Sequence, residues 1–105
     1  MNVTINPGIC GFITNVYTSS DDMQNVTLKI ETECPSLKPI ESELKIIDGF
    51  SECFGTLGDT DVYKICRNHC HHAACPIPAG IIKSIEVACG LALPSDCSIK
   101  FVSNE

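Results

Sequence analysis

The chain has 105 residues, 44% hydrophobic and 19% charged, with eight cysteines and a net charge of −6. That length allows one domain with one modest core, and the composition is globular, which excludes a multidomain enzyme and a disordered segment. The seven basic residues are scattered singly, so no patch neutralises phosphates and nucleic acid is not an expected partner.

Residues 1–34 read as antiparallel strands. Val3 and Ile5 alternate with polar residues before Pro7-Gly8 turns the chain, and a second alternating run from Phe12 to Tyr17 reaches the turn Ser19-Ser20-Asp21-Asp22. The third run is the clearest: Val26, Leu28 and Ile30 face one way, and Thr27, Lys29 and Glu31 the other, as in a strand with one side on a core. The same parity puts Thr32 and Cys34 on the apolar side, which predicts an inward-pointing Cys34 at a strand end.

Beyond Cys34 the period becomes helical. Leu37, Ile40, Leu44 and Ile47 recur at helical spacing, with Ser36 able to cap, Pro39 in the first turn and Gly49 placed to end the helix. A short helix carrying Phe50, Cys53, Phe54 and Leu57 is predicted to end at Gly58. A third starts with Asp59 as its N-cap and buries Val62, Ile65, Cys66, His69 and, at the limit, Cys70. A fourth follows Cys75-Pro76 and turns Ile81, Ile82, Ile85 and Ala88 inward until Gly90.

Ile99, Phe101 and Val102 predict a last strand. The expected fold is therefore a single α+β domain over residues 1–105. Its sheet would be small and mostly antiparallel, three N-terminal strands plus a C-terminal one, with three to four helices packed on one face. Proline, glycine and charged residues interrupt the longest apolar stretch, Ile77 to Leu93, so no membrane partner is expected. Met1 to Pro7 has neither a basic nor an apolar leader pattern, and a cytoplasmic protein with reduced thiols is the expectation.

The chemistry concentrates between Cys66 and Cys75, which hold three cysteines and all three histidines. Each of these side chains is a soft or borderline metal ligand. The spacing C-x3-C-x4-C is not that of a zinc finger, zinc ribbon or bacterial ferredoxin; its purely structural counterpart is a helix with two buried thiols and a solvated histidine loop. Cys34-Pro35 and Cys75-Pro76 each place a cysteine before proline at a predicted helix start, where free N–H groups and the helix dipole favour a thiolate and predict a lowered pKa. Cys10 lies between Gly8 and Gly11, glycines that allow a sharp turn or a close approach. Cys89 reads as a core thiol, and Cys53 adjoins two phenylalanines.

The ligand set expected from these positions is Cys10, Cys34, Cys70 and Cys75, with His72 or Cys66 as substitutes. They would surround an iron–sulfur cluster or zinc in a protein without turnover of its own. A redox or sulfur-transfer protein is the expected partner, and a homodimer is compatible with the sequence. An extracellular disulfide scaffold is the alternative in which the cysteines pair with one another.

Two resemblances arise at the same residues. Cys75-Pro76-Ile77-Pro78, followed by a predicted helix and strand up to Val102, resembles the Cys-Pro-x-Pro signature of TusA-type sulfur carriers. That resemblance implies a persulfide on Cys75 as the first alternative to the metal centre, ahead of the disulfide scaffold. Asn6 to Gly11 and His72 to Pro76 are similar to the Asn-Pro-Gly-x-Cys-Gly and His-Ala-Ala-Cys-Pro patterns of a small uncharacterised family from strict anaerobes. It implies an anaerobic cytoplasm and no particular activity.

Overall fold

The computed structural model describes residues 1–104. Alternation builds the sheet. Strands β1 (Asn2–Ile5), β2 (Thr14–Ser19) and β3 (Asn25–Thr32) pair antiparallel, with Val3 opposite Val16 and Val16 opposite Ile30. Val16, Val26, Leu28 and Ile30 are buried, whereas Tyr17, Lys29 and Glu31 are exposed on the other face, so one side of the sheet carries the core and the other meets water. Asp22 organises the β2–β3 turn by accepting the N–H groups of Gln24 at 3.0 Å and Asn25 at 2.8 Å, and Met23 takes a φ of 61° between them.

The helices α1 (Ile40–Glu43), α2 (Gly49–Cys53), α3 (Asp61–Arg67) and α4 (Ile77–Ala88) cover the apolar side. Ile77, Ile81 and Ile85 of α4 recur every fourth residue and are buried, the stripe that holds the helix on β1 and β2. Gly80 lets α4 settle there, because a Cβ at that position would overlap the Ile5 side chain. The helix ends as predicted at Gly90, whose φ is 71°. The Leu91 N–H donates to the Glu86 carbonyl and the Gly90 N–H to that of Val87, the paired bonds of a Schellman cap.

The α+β class and the four-stranded antiparallel sheet agree with the sequence pattern, and the fourth strand is a different segment. Strand β4 (Ile46–Asp48) pairs with the start of β3, with Ile47 opposite Val26, and completes the order β1-β2-β3-β4. Ile99, Phe101 and Val102 are 85%, 99% and 80% exposed and join no strand. The helix expected to run to Ile47 stops instead at Glu43, where Leu44 leaves helical geometry at φ −106° and ψ 88°. Two adjacent β-branched residues, Ile46 and Ile47, gain more from the hydrogen bonds on the open edge of β3 than from another helical turn.

Gly49 therefore starts a helix rather than ending one. Asp48 caps α2 by accepting from Phe50 at 3.0 Å and Ser51 at 3.2 Å, and a side chain at Gly49 would collide with Cys89 Sγ. Helix α2 stops at Cys53, leaving Leu57 in the following turn, 85% exposed. Thr60, not Asp59, is the N-cap of α3 and makes no side-chain cap. The buried Glu52 of α2 supplies the missing acceptor, taking the Asp61 N–H at 2.9 Å and the Val62 N–H at 3.2 Å.

Candidate thiol site

The sheet and α4 deliver several cysteines to one end of the molecule. β1 and β3 finish there, β2 and α4 begin there, and α4 enters beside Ile5. Cys34 follows β3 directly. Its N–H donates to Thr32 Oγ1 at 3.1 Å, and that hydroxyl is itself bonded to Thr14 Oγ1 at 2.7 Å in a buried pair. The side chain is half-buried and packs against the core, as strand parity predicted.

Helix α3 brings two more thiols. Cys66 is buried in the last turn, and the Cys70 N–H donates to the Cys66 carbonyl at 2.9 Å, which continues the helical path far enough to keep both cysteines on one side. The chain then turns, the Cys75 N–H donating to the His72 carbonyl at 3.1 Å, and Cys75 lies just before Pro76, the N-cap of α4. Cys70 and Cys75 are half-buried against the core.

These thiols feel one another. Burial, first, pushes the Cys66 thiol up to about 12, and the neighbouring Cys75 and Cys70 add to the rise, followed by Glu43 and Glu52. Cys75 corrects an expectation. The Ile77 N–H does donate toward its sulfur, as a helix start should, but burial outweighs it and Cys70 and Cys34 act in the same upward direction, so the thiol rises to about 11 rather than falling. A sulfur in this group ionises against its surroundings and its neighbours at once.

The remaining expected ligands, Cys10 and His72, are exposed. Cys10 occupies a turn closed by the Gly11 N–H on the Gly8 carbonyl at 2.9 Å, with φ of 99° at Gly8 and 70° at Gly11. The glycines there serve the turn. Its loop joins β1 to β2 at the same end of the sheet, but the thiol itself is exposed. His72 is exposed as well. Among the described residues, no three His, Cys, Asp or Glu side chains are placed so that they could hold one metal ion. All eight cysteines are free thiols.

Two features had no local signal in the sequence. His69 Nε2 meets both oxygens of Glu43, at 3.0 and 2.9 Å, tying the exit of α3 to α1 across 26 residues. Cys53 and Cys89 form a second thiol neighbourhood between α2 and α4. There Cys53 is pushed up to about 11 by burial, then by Glu86 and Cys89.

A family model described as a family of unknown function (DUF6951) matches residues 1–101. The chain belongs to that family. The match takes in the Cys10 turn, the Cys66 to Cys75 segment and every element of the sheet and helices, so the thiol end lies within the region that defines membership. No curated protein matches the chain, and no solved structure matches it. Among the described residues, no helix is long and apolar enough to cross a membrane.

Proposed function

We propose that this protein binds a thiophilic metal centre, an iron–sulfur cluster or zinc, at the end where Cys34, Cys66, Cys70 and Cys75 gather. One observation carries the reading: thiols from three separate chain segments pack against the same end of the core, Cys66 buried and Cys34, Cys70 and Cys75 half-buried, and act on one another's ionisation. Zinc takes four such sulfurs tetrahedrally, and an iron–sulfur cluster takes them spaced around it. Bound cations would also reverse the penalty on ionising these sulfurs, since a coordinated thiol is deprotonated outright.

Cys34, Cys70 and Cys75 are the favoured ligands, with Cys66 as the fourth thiol in the group. Cys10 would join them through a movement of its exposed turn. The exposed run His71 to Ala74 is the segment free to adjust on binding. The persulfide alternative rests on Cys75 as a nucleophile, and burial, which raises this thiol to about 11, works against the thiolate it would need.

Protein purified without oxygen tests this through its visible spectrum and its iron, sulfide and zinc content. Cys34→Ser, Cys70→Ser and Cys75→Ser are each expected to lower metal content, while Cys97→Ser leaves it unchanged. Metal-free protein in every preparation and after anaerobic reconstitution would overturn the reading. An added sulfur atom found on Cys75 alone would put the carrier in its place.

A further inference from the structure

Two cysteines outside the thiol end meet at the opposite end of the sheet. Cys53 closes α2, and Cys89 is the C-cap of α4, next to Gly90, which lies against Met23 of the β2–β3 turn. The 12 residues of α4, about 18 Å of helix, lie between this pair and Cys75. Cys89 is 4% exposed and Cys53 is half-buried, so one sulfur reaches water and the other stands behind it.

A missing side chain brings the two together. A Cβ on Gly49 would collide with Cys89 Sγ, so the Cys89 sulfur rests on the bare first turn of α2. Cys53 lies four residues on from Gly49 in the same five-residue helix. Positions so spaced share one face, with Cβ atoms about 5 to 6 Å apart. The Cys89 sulfur therefore sits on the face of α2 that carries Cys53. Burial, then Glu86, Cys89 and Glu52, push the Cys53 thiol up to about 11. Burial, then Asp22 and Asp48, raise that of Cys89. Four carboxylates thus act on the pair.

We propose that Cys53 and Cys89 are a dithiol redox site that a small cationic disulfide oxidises to an intramolecular disulfide, strapping α2 to the end of α4. Cys53, the thiol that reaches water, gives its proton to solvent, attacks one sulfur of the small disulfide and releases the other as a thiolate. Cys89 then loses its proton to solvent, and its thiolate, turned from Gly49 along α2 by a change of rotamer, attacks Cys53 Sγ and releases the second small thiolate. Each small thiolate takes up a proton. One S–S bond is broken and one formed, and the two electrons that the protein sulfurs lose reduce the reagent to two thiols. The four carboxylates favour a cationic reagent over an anionic one. Sulfurs that resist ionising are also poor leaving groups, so the bond once formed is slow to be reduced. The inference is independent of the metal reading, whose favoured ligands lie at the far end of α4.

Cystamine added to the reduced full chain at mildly alkaline pH, followed by alkylation, trypsin digestion without reductant and mass spectrometry, tests it. The expected product is residues 46–64 joined to residues 84–100, with backbone fragmentation placing the link on Cys89 and not on Cys97. In Cys89→Ala, Cys53 is expected to stop at the mixed disulfide; in Cys53→Ser, Cys89 stays a free thiol. The linked chain should melt about 10 °C or more above the reduced one and lose that rise on reduction. Glutathione disulfide, which is anionic, should form the same link several-fold more slowly. A link from Cys53 to any other cysteine, a mixed disulfide that persists on Cys53 in the native chain, no reaction at Cys53, or an unchanged melting temperature overturns the proposal. Glutathione disulfide reacting as fast as cystamine overturns the class of oxidant. If Cys89→Ala fails to fold, the time course of the native chain decides: a mixed disulfide on Cys53 ahead of the link upholds the order of attack, and one on Cys89 ahead of it overturns that order.

Discussion

Two carboxylates illustrate how opposite environments give opposite pH behaviour. Asp22 accepts the N–H groups of Gln24 and Asn25, which pull its pKa down to about 2. Its contribution to stability is complete above the ordinary aspartate range and is lost as pH falls through that value. Asp22→Asn should therefore flatten the acid limb of the stability profile between pH 4 and 2, as read by urea unfolding. Glu52 runs the other way. Burial raises its pKa first, against the lowering by the Thr60 hydroxyl and the Val62 and Asp61 N–H groups; the buried Thr60 Oγ1 sits beside the carboxylate short of a well-formed hydrogen bond. A folded-state pKa above the unfolded one means stability present at low pH and lost as pH rises through the folded value. The stability of the native chain relative to Glu52→Gln should decline as pH rises from about 4.5; an increase instead would show that the N–H bonds outweigh burial. Glu52→Ala leaves the first N–H groups of α3 without their acceptor and should cost about 2 to 3 kcal/mol at neutral pH.

At the scale of elements, close contacts decide more than local preference does. An alanine at position 80 would improve the intrinsic propensity of α4 by about 1 kcal/mol, but its Cβ would occupy the space of the Ile5 side chain. Gly80→Ala is therefore expected to destabilise, by about 1 to 3 kcal/mol, and Ile5→Val in the same chain should recover part of that loss. Denaturant unfolding of the two single variants and the double one measures the coupling. Additive effects would show that α4 does not depend on this approach. The same competition explains β4: the spacing of Leu37, Ile40, Leu44 and Ile47 is helical and all four are buried, but only Ile40 lies in α1, and the open edge of β3 captures residues 46–48.

For the whole molecule, residues of the sheet, α1, α3 and α4 form one continuous apolar core, and of the thiol group only Cys66 belongs to it while Cys34, Cys70 and Cys75 pack against it. Metal binding should therefore add to a fold that already stands. At a free metal level a hundredfold above the dissociation constant, linkage contributes about 2.7 kcal/mol, which for a domain of this size is a rise in melting temperature of about 10 to 20 °C. Calorimetry of the loaded and stripped protein should show that difference with the stripped form still cooperative. Identical melting temperatures would count against a bound centre in the native protein, and a stripped form without a transition would show that the core does not stand alone.

The sequence by itself determined the elements whose period is carried by neighbours along the chain. These are the alternating strands around Val16 and Val26 to Ile30, the isoleucine stripe of α4 with its Gly90 stop, and the inward tendency of Cys34. Each depends on geometry repeated within a few residues. Only the tertiary structure decided that Ile46 to Asp48 would be the fourth strand and that Ile99 to Val102 would be left exposed, because both outcomes rest on which segment reaches the edge of β3. It also decided the make-up of the thiol end. The sequence already put Cys34 with Cys70 and Cys75 and held Cys66 in reserve, but the burial of Cys66, the exposure of Cys10 and His72, and the rise of the Cys75 pKa come from the folded core and from residues far apart in the chain. A helix start is a local fact that favours a thiolate; desolvation by the folded core is a non-local one, and for Cys75 it is the larger.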